Sequence, residues 1–147
     1  MKKKFEISVF WFRRDLRLED NIALHHALLS GRKVLMCYLF EPMLQSDLHY
    51  SQRHWNFVLK SLKYINKQLQ VKNTRVLIAQ EDIFSFLEKL ALHFEIKELF
   101  TNNETGLQLT YQRDLQLARF CKLKGVSWQT FNHNGVFRAL KNRKQWL

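Results

Sequence analysis

Glu6-Ile7-Ser8-Val9-Phe10-Trp11-Phe12 is dominated by apolar side chains and does not alternate, and Arg13-Arg14-Asp15-Leu16-Arg17-Leu18-Glu19 follows it at once. A strand covered on one face alternates apolar and polar positions, whereas a strand covered on both faces does not. Residues 6–12 therefore read as a strand buried on both faces of a parallel sheet. The charged stretch reads as the loop leaving its carboxyl end.

Working outward, Asp20 or Asn21 suits the N-cap of a helix carrying Ile22, Leu24, Ala27 and Leu28, and Gly31 closes it. Residues 33–40 make a second buried strand, which stops at Glu41-Pro42, the only proline. From Ser51 to about Gln70 a long helix is predicted, with Trp55, Val58, Leu59, Leu62, Ile65 and Leu69 on its apolar face. Residues 74–79 give a third strand centred on Arg75-Val76-Leu77-Ile78-Ala79. Asp82 then opens a helix with Ile83, Phe86, Leu87, Leu90 and Phe94 inward. Residues 97–101 form a fourth strand, and a polar loop runs from Asn102 to Gln108. The next helix spans about Thr110 to Lys124, with Leu115, Ala118 and Cys121 on one stripe and Gly125 just past its end. Residues 126–131 complete a fifth strand. Five strands alternating with four helices predict an α/β fold: a five-stranded parallel sheet, Rossmann-like, with helices on both faces and right-handed crossovers. The domain is expected over 1–131. The basic tail 132–147 ends abruptly and is expected to lead into a further domain.

The 147 residues are 46% hydrophobic and 25% charged, which fits one globular domain. The net charge of +11 attracts polyanions: nucleic acid, phosphorylated ligands, polyglutamylated cofactors or acidic membranes. A plain basic soluble protein has the same composition. An aromatic content of 14% points to a ring-rich core or to a surface meant to pack against something else. Cys37 and Cys121 lack metal-like spacing and read as buried free thiols, in keeping with a cytoplasmic location. Met1-Lys2-Lys3-Lys4 is not followed by the apolar core and small-residue cleavage site of a signal peptide.

In open parallel sheets, ligands bind outside the carboxyl ends of the strands. The loops that fall there carry Arg13, Arg14, Asp15 and Arg17, then Glu41 and Pro42, then Asn102, Asn103 and Glu104. The arginine loop over a helix N-terminus is an anion site, or else Asp15 and Asp20 pair with the arginines and fix the loop; both readings stand. The four glycines form neither a dinucleotide-binding turn nor a phosphate-binding loop, and no nucleophile elbow exists. In the tail, Phe137, Arg138, Lys141, Arg143, Lys144 and Trp146 interleave base and ring. Such a segment touches phosphates and stacks on bases, or lies across a following domain.

Val9-Phe10-Trp11-Phe12-Arg13-Arg14-Asp15-Leu16-Arg17-Leu18, with Asp20-Asn21 and Ala23-Leu24 behind it, resembles the opening of the DNA photolyase/cryptochrome family. Phe40-Glu41-Pro42, Arg53 with Phe57-Val58-Leu59 and Ser61-Leu62, Glu104-Thr105-Gly106 with Tyr111 and Arg113-Asp114, and Gly135-Val136-Phe137-Arg138 with Asn142-Arg143 and Trp146 continue the likeness along the chain. The resemblance implies an N-terminal α/β domain that supports a light-driven flavoprotein and holds an antenna chromophore, a folate or a deazaflavin. FAD and damaged DNA would belong to a helical C-terminal domain outside this sequence, so the fragment alone is expected to be inactive, and its aromatic-rich face toward that domain, left exposed, is expected to let it self-associate as dimers. It also implies antenna contacts near Arg13, Cys37 to Glu41, Arg53, Asn103 and Glu104, whereas nucleic-acid contacts at Arg138, Lys141, Arg143 and Lys144 rest on the tail's own alternation of base and ring. Repair of pyrimidine dimers, blue-light reception without repair, and a free-standing basic module that binds a nucleotide or nucleic acid are the three functional readings.

Overall fold

The computed structural model describes residues 3–133. Strand β1 (Phe5–Phe12) lies at the centre of a five-stranded sheet of order β3-β2-β1-β4-β5. The others are β2 (Lys33–Leu39), β3 (Leu77–Ala79), β4 (Phe94–Asn102) and β5 (Ser127–Phe131). Every pairing is parallel. Helices α1 (Ile22–Leu28), α2 (Pro42–Gln45), α3 (Gln52–Gln70), α4 (Ile83–His93) and α5 (Gln108–Lys124) make the connections.

The unalternating first strand divides its side chains between two cores. Ile7, Val9 and Trp11 pack with Ile83, Phe86 and Leu87 of α4 and with Leu117 and Cys121 of α5. Phe10 and Phe12 pack on the other face with Ala23, Leu24 and Ala27 of α1 and with Val58, Leu62 and Ile65 of α3. The expected α/β architecture with helices on both faces is thus the one observed. Asn21 caps α1 through its side chain, accepting from the Leu24 N–H at 3.2 Å. Gly125 ends α5 at φ 71°, a left-handed conformation that glycine adopts without a Cβ penalty.

Several local expectations need correction. The third strand spans three residues, not six. Val76 gives its N–H to Asn66 Oδ1 at 2.7 Å and is held against α3 instead of joining the sheet. The fourth strand starts at Phe94, directly after α4, so Phe94 packs from β4 and not from the helix. Leu59 lies on the flank of α3 and is exposed. On α5 the stripe of Leu115, Ala118 and Cys121 is displaced. Leu115 and Ala118 face solvent, and Thr110, Arg113, Asp114, Leu117 and Cys121 form the buried face. Two of those residues are charged, so apolar periodicity cannot find them. The short helix α2 was also unforeseen; Pro42 stands at its first position, where a missing N–H costs nothing.

Candidate functional site

From β1 and β2 the sheet continues to β3 on one side, and from β1 to β4 and β5 on the other. The loops after β1 and β4 therefore diverge above the sheet. Arg13, the first residue after β1, ties that divergence together. Its Nη1 donates to both oxygens of Asp114 on α5, at 2.8 and 2.9 Å, and its Nη2 donates to the Asn102 carbonyl at 2.7 Å. Asp15 accepts from the Arg13 N–H at 2.7 Å. Asn102, at the end of β4, donates to Asp15 and to Asn21 and accepts from the Ala23 N–H at 3.2 Å. One polar network thus fixes the first loop, the start of α1 and the end of β4.

Arg113 sits beside it and is nearly fully buried. It reaches Glu41 at 2.5 Å, Glu104 at 2.6 Å and Asp114 at 3.0 Å. The guanidinium carbons of Arg13 and Arg113 lie 5.1 and 4.9 Å from the Trp11 ring centroid. The indole gives both cations an apolar contact that also favours positive charge. Three buried carboxylates thus share two buried arginines, and the half-exposed Arg14 adds a third cation through Glu104 at 3.1 Å. Removing charges from water is expensive, so such a cluster persists only with its partners in place.

Titration divides the two glutamates. Burial pushes Glu41 up to about 7, with Arg113 opposing and Glu104 adding to the rise. Burial also acts on Glu104, but Arg113, Arg13 and Arg14 together outweigh it and hold its carboxyl below the ordinary range. Glu104 is therefore a fixed anion near neutral pH, whereas Glu41 exchanges a proton there.

This cluster floors a cavity of about 540 Å³ above the carboxyl ends of β1 and β2, with α3 as one wall. Tyr50, His54 and Trp55 form an aromatic side to it, with Tyr50 and Trp55 ring centroids 5.1 Å apart. Arg14 Nη2 donates to the Tyr50 hydroxyl at 2.8 Å and locks that ring to the floor. His54 is held below its usual pKa by burial and by Arg14, which favours the neutral imidazole. The volume, the ring-lined wall and a few convergent polar groups are what a small-molecule site offers.

Of the six residues expected to hold a chromophore, Arg13, Glu41 and Glu104 line this cavity. Cys37 points instead into the core under α4 and α5, and burial pushes its thiol well above the usual range. Arg53 is exposed on α3. Asn103 gives its N–H to the Phe131 carbonyl at 2.7 Å and faces β5. The four tail residues Arg138, Lys141, Arg143 and Lys144 lie outside the described residues. Within the arginine loop, Asp15 accepts from the Arg13 N–H and Arg17 reaches Asp20 at 3.8 Å, while the side chains of Arg13 and Arg14 pair outside the loop, with Asp114 on α5 and with Glu104. Arg113, Tyr50, His54 and Trp55 escaped the sequence reading as site residues. A charged pair at 113–114 inside an otherwise amphipathic helix was the available signal.

The DNA photolyase family model matches residues 8–145. The chain belongs to the DNA photolyase family. Among curated relatives, cryptochrome DASH of Idiomarina loihiensis is 25% identical over 79% of this chain, and cryptochrome-2 of Gallus gallus is 34% identical over 81%. The deoxyribodipyrimidine photo-lyase of a Synechococcus strain is 25% identical over 80%. The chain spans 27%, 20% and 24% of the lengths of those three relatives. Among solved structures, the photolyase of Sulfolobus tokodaii superposes with a TM-score of 0.73 at 23% identity, covering 97% of this chain and 33% of its own. That structure holds two FAD molecules and implies a novel light-harvesting cofactor. A Synechocystis cryptochrome superposes at 0.77 with 24% identity, covering 90% of this chain and 28% of its own. The fold of this photolyase-family domain is shared with these two solved structures. No helix among its described residues is long and apolar enough to cross a membrane.

Proposed function

We propose that this chain is the N-terminal, chromophore-holding domain of a photolyase-like flavoprotein, and that the cavity above β1 and β2 takes the antenna. One observation carries the reading: the cavity of about 540 Å³ pairs a wall of Tyr50, His54 and Trp55 with a floor of buried ionisable groups. A flat conjugated ring system fits that wall by stacking. Arg14 and Glu41 stand where they can hold polar edges of such a ring, and Glu41 does so as donor or acceptor according to its proton. When bound, a folate or a deazaflavin, or a flavin as in the Sulfolobus tokodaii protein, would supply light absorption. The chain's own residues supply orientation and exclusion of water. FAD at the repair centre, the C-terminal domain that binds it, and DNA as substrate belong to the longer protein in this reading. The two cysteines, both free and buried, fit a cytoplasmic setting.

Blue-light reception without repair is the second reading, favoured by the cryptochromes among the relatives. Both readings need the same cavity. Titration of the purified chain with FAD, a deazaflavin and a methenylated folate, followed by absorption and fluorescence, tests it. Saturable one-to-one binding of one of these supports the assignment. Failure of all three overturns it.

A further inference from the structure

From Leu48 to Gln80 the sequence holds six Lys or Arg and no Asp or Glu. Helix α3 occupies most of that stretch. Its inward face is made by Val58, Leu62, Ile65 and Leu69. On the opposite face, Arg53, Phe57, Lys60, Tyr64 and Lys67 recur at intervals of three or four and form a single line, with Lys63 beside it. The cations are all exposed, and the two rings are 67% and 64% exposed. A solvated helix face ordinarily mixes both signs, so that neighbours one turn apart pair. Here Lys60, Lys63 and Lys67 repel one another, and no ion pair to a carboxylate is found on any α3 residue among the described residues.

We propose that this face of α3 binds a nucleic-acid strand, with the cations on phosphates and Phe57 and Tyr64 stacked on bases. Base and ring alternate along about 21 Å of helix axis, at about 1.5 Å per residue. That length spans about six nucleotides at the rise of about 3.4 Å per nucleotide in one strand. Cations alone would serve any polyanion. Exposed rings set between them add a π-face that every base matches, which is the combination single-strand binders use. Tyr64 is steadied by Gln68, whose side-chain amide donates to its hydroxyl at 3.4 Å. The surface is independent of the antenna reading: Lys60, Lys63, Tyr64 and Lys67 do not line the cavity, and only Phe57 touches its rim.

Fluorescence anisotropy of a labelled oligothymidylate of about 20 nucleotides, with the whole 147-residue chain over a range of salt, tests the proposal. Replacing Lys60, Lys63 and Lys67 together by Gln should weaken binding at least about tenfold at low salt and lower the salt slope by about 2, at about 0.7 per phosphate contact. Tyr64→Ala should weaken binding about fivefold or more with the salt slope unchanged. Circular dichroism of both variants should show the wild-type helix content. Three results would overturn the proposal: a triple variant that binds as the wild type does, loss of binding only when Arg138, Lys141, Arg143 and Lys144 are replaced, or a chain that binds phosphatidylserine vesicles and no oligonucleotide.

Discussion

Arg113 on α5 donates from Nη1 to Oε2 of Glu41 at the end of β2, at 2.5 Å, and both side chains are almost wholly out of water. That contact joins a helix on one side of the sheet to the floor of the cavity. Arg113 also neutralises Glu104 and Asp114, so its loss would leave three buried carboxylates with Arg13 as their one buried cation. Arg113→Met should destabilise the chain by about 3–5 kcal/mol, as expected when one member of a buried ionic group is removed. Arg14→Ala removes a side chain that is 44% exposed and should cost under about 1 kcal/mol. Urea unfolding of the two variants beside the wild type measures both.

Glu41 also sets a pH dependence. Its folded pKa, about 7, lies above the ordinary 4.5. Between those values the folded chain holds a proton that the unfolded chain has lost. Its contribution is complete below pH 4.5 and disappears as pH rises through about 7. Glu104, held low, has the opposite sign: its contribution is present above the ordinary value and is lost on acidification. The difference between wild type and Glu41→Gln isolates the first effect. Unfolding free energies of wild type relative to Glu41→Gln should fall from pH 5 to pH 7 by up to about 1.4 kcal/mol per pH unit. A flat difference would show that Glu41 titrates normally.

The thiols make a third prediction. Burial pushes Cys121 up to about 11 and Cys37 higher still. Thiolate is the reactive form, so neither residue should react with a disulfide reagent at pH 8 in the folded chain. Both should react at once in denaturant. Fast labelling of the native chain would show that one core opens.

The succession of strands along the chain was legible because hydrophobic runs report burial directly. Residues 6–12 read as a two-sided strand, and Ile7, Val9 and Trp11 do face one core while Phe10 and Phe12 face the other. The floor of the cavity was only half legible. Arg13, Glu41 and Glu104 stood at strand ends, where the topology of parallel sheets draws attention. Arg113 and Asp114 stood inside a helix, where a pattern that counts apolar groups assigns charges to solvent. Pairing overturns that assignment: each charge is buried because its partners arrive from β1, β2 and β4. Tyr50 and Trp55 were hidden for a related reason, since their meeting depends on the turn after α2.

Exposed leucines give a fourth prediction. Leu28 and Leu29 end α1, and Leu92 and Leu123 stand on α4 and α5, all mostly open to water. The chain alone should therefore self-associate as its concentration rises. Multi-angle light scattering should give a mass above that of the monomer, and a monomer at every concentration would contradict the prediction.

The central claim concerns what the cavity holds. The most direct test is a crystal structure of the chain with whichever chromophore saturates it in solution. The account predicts a planar ring stacked against Trp55, with polar edges at Arg14 and Glu41. Density for the ring anywhere else, with the space between Glu41 and Tyr50 filled only by water, would contradict it.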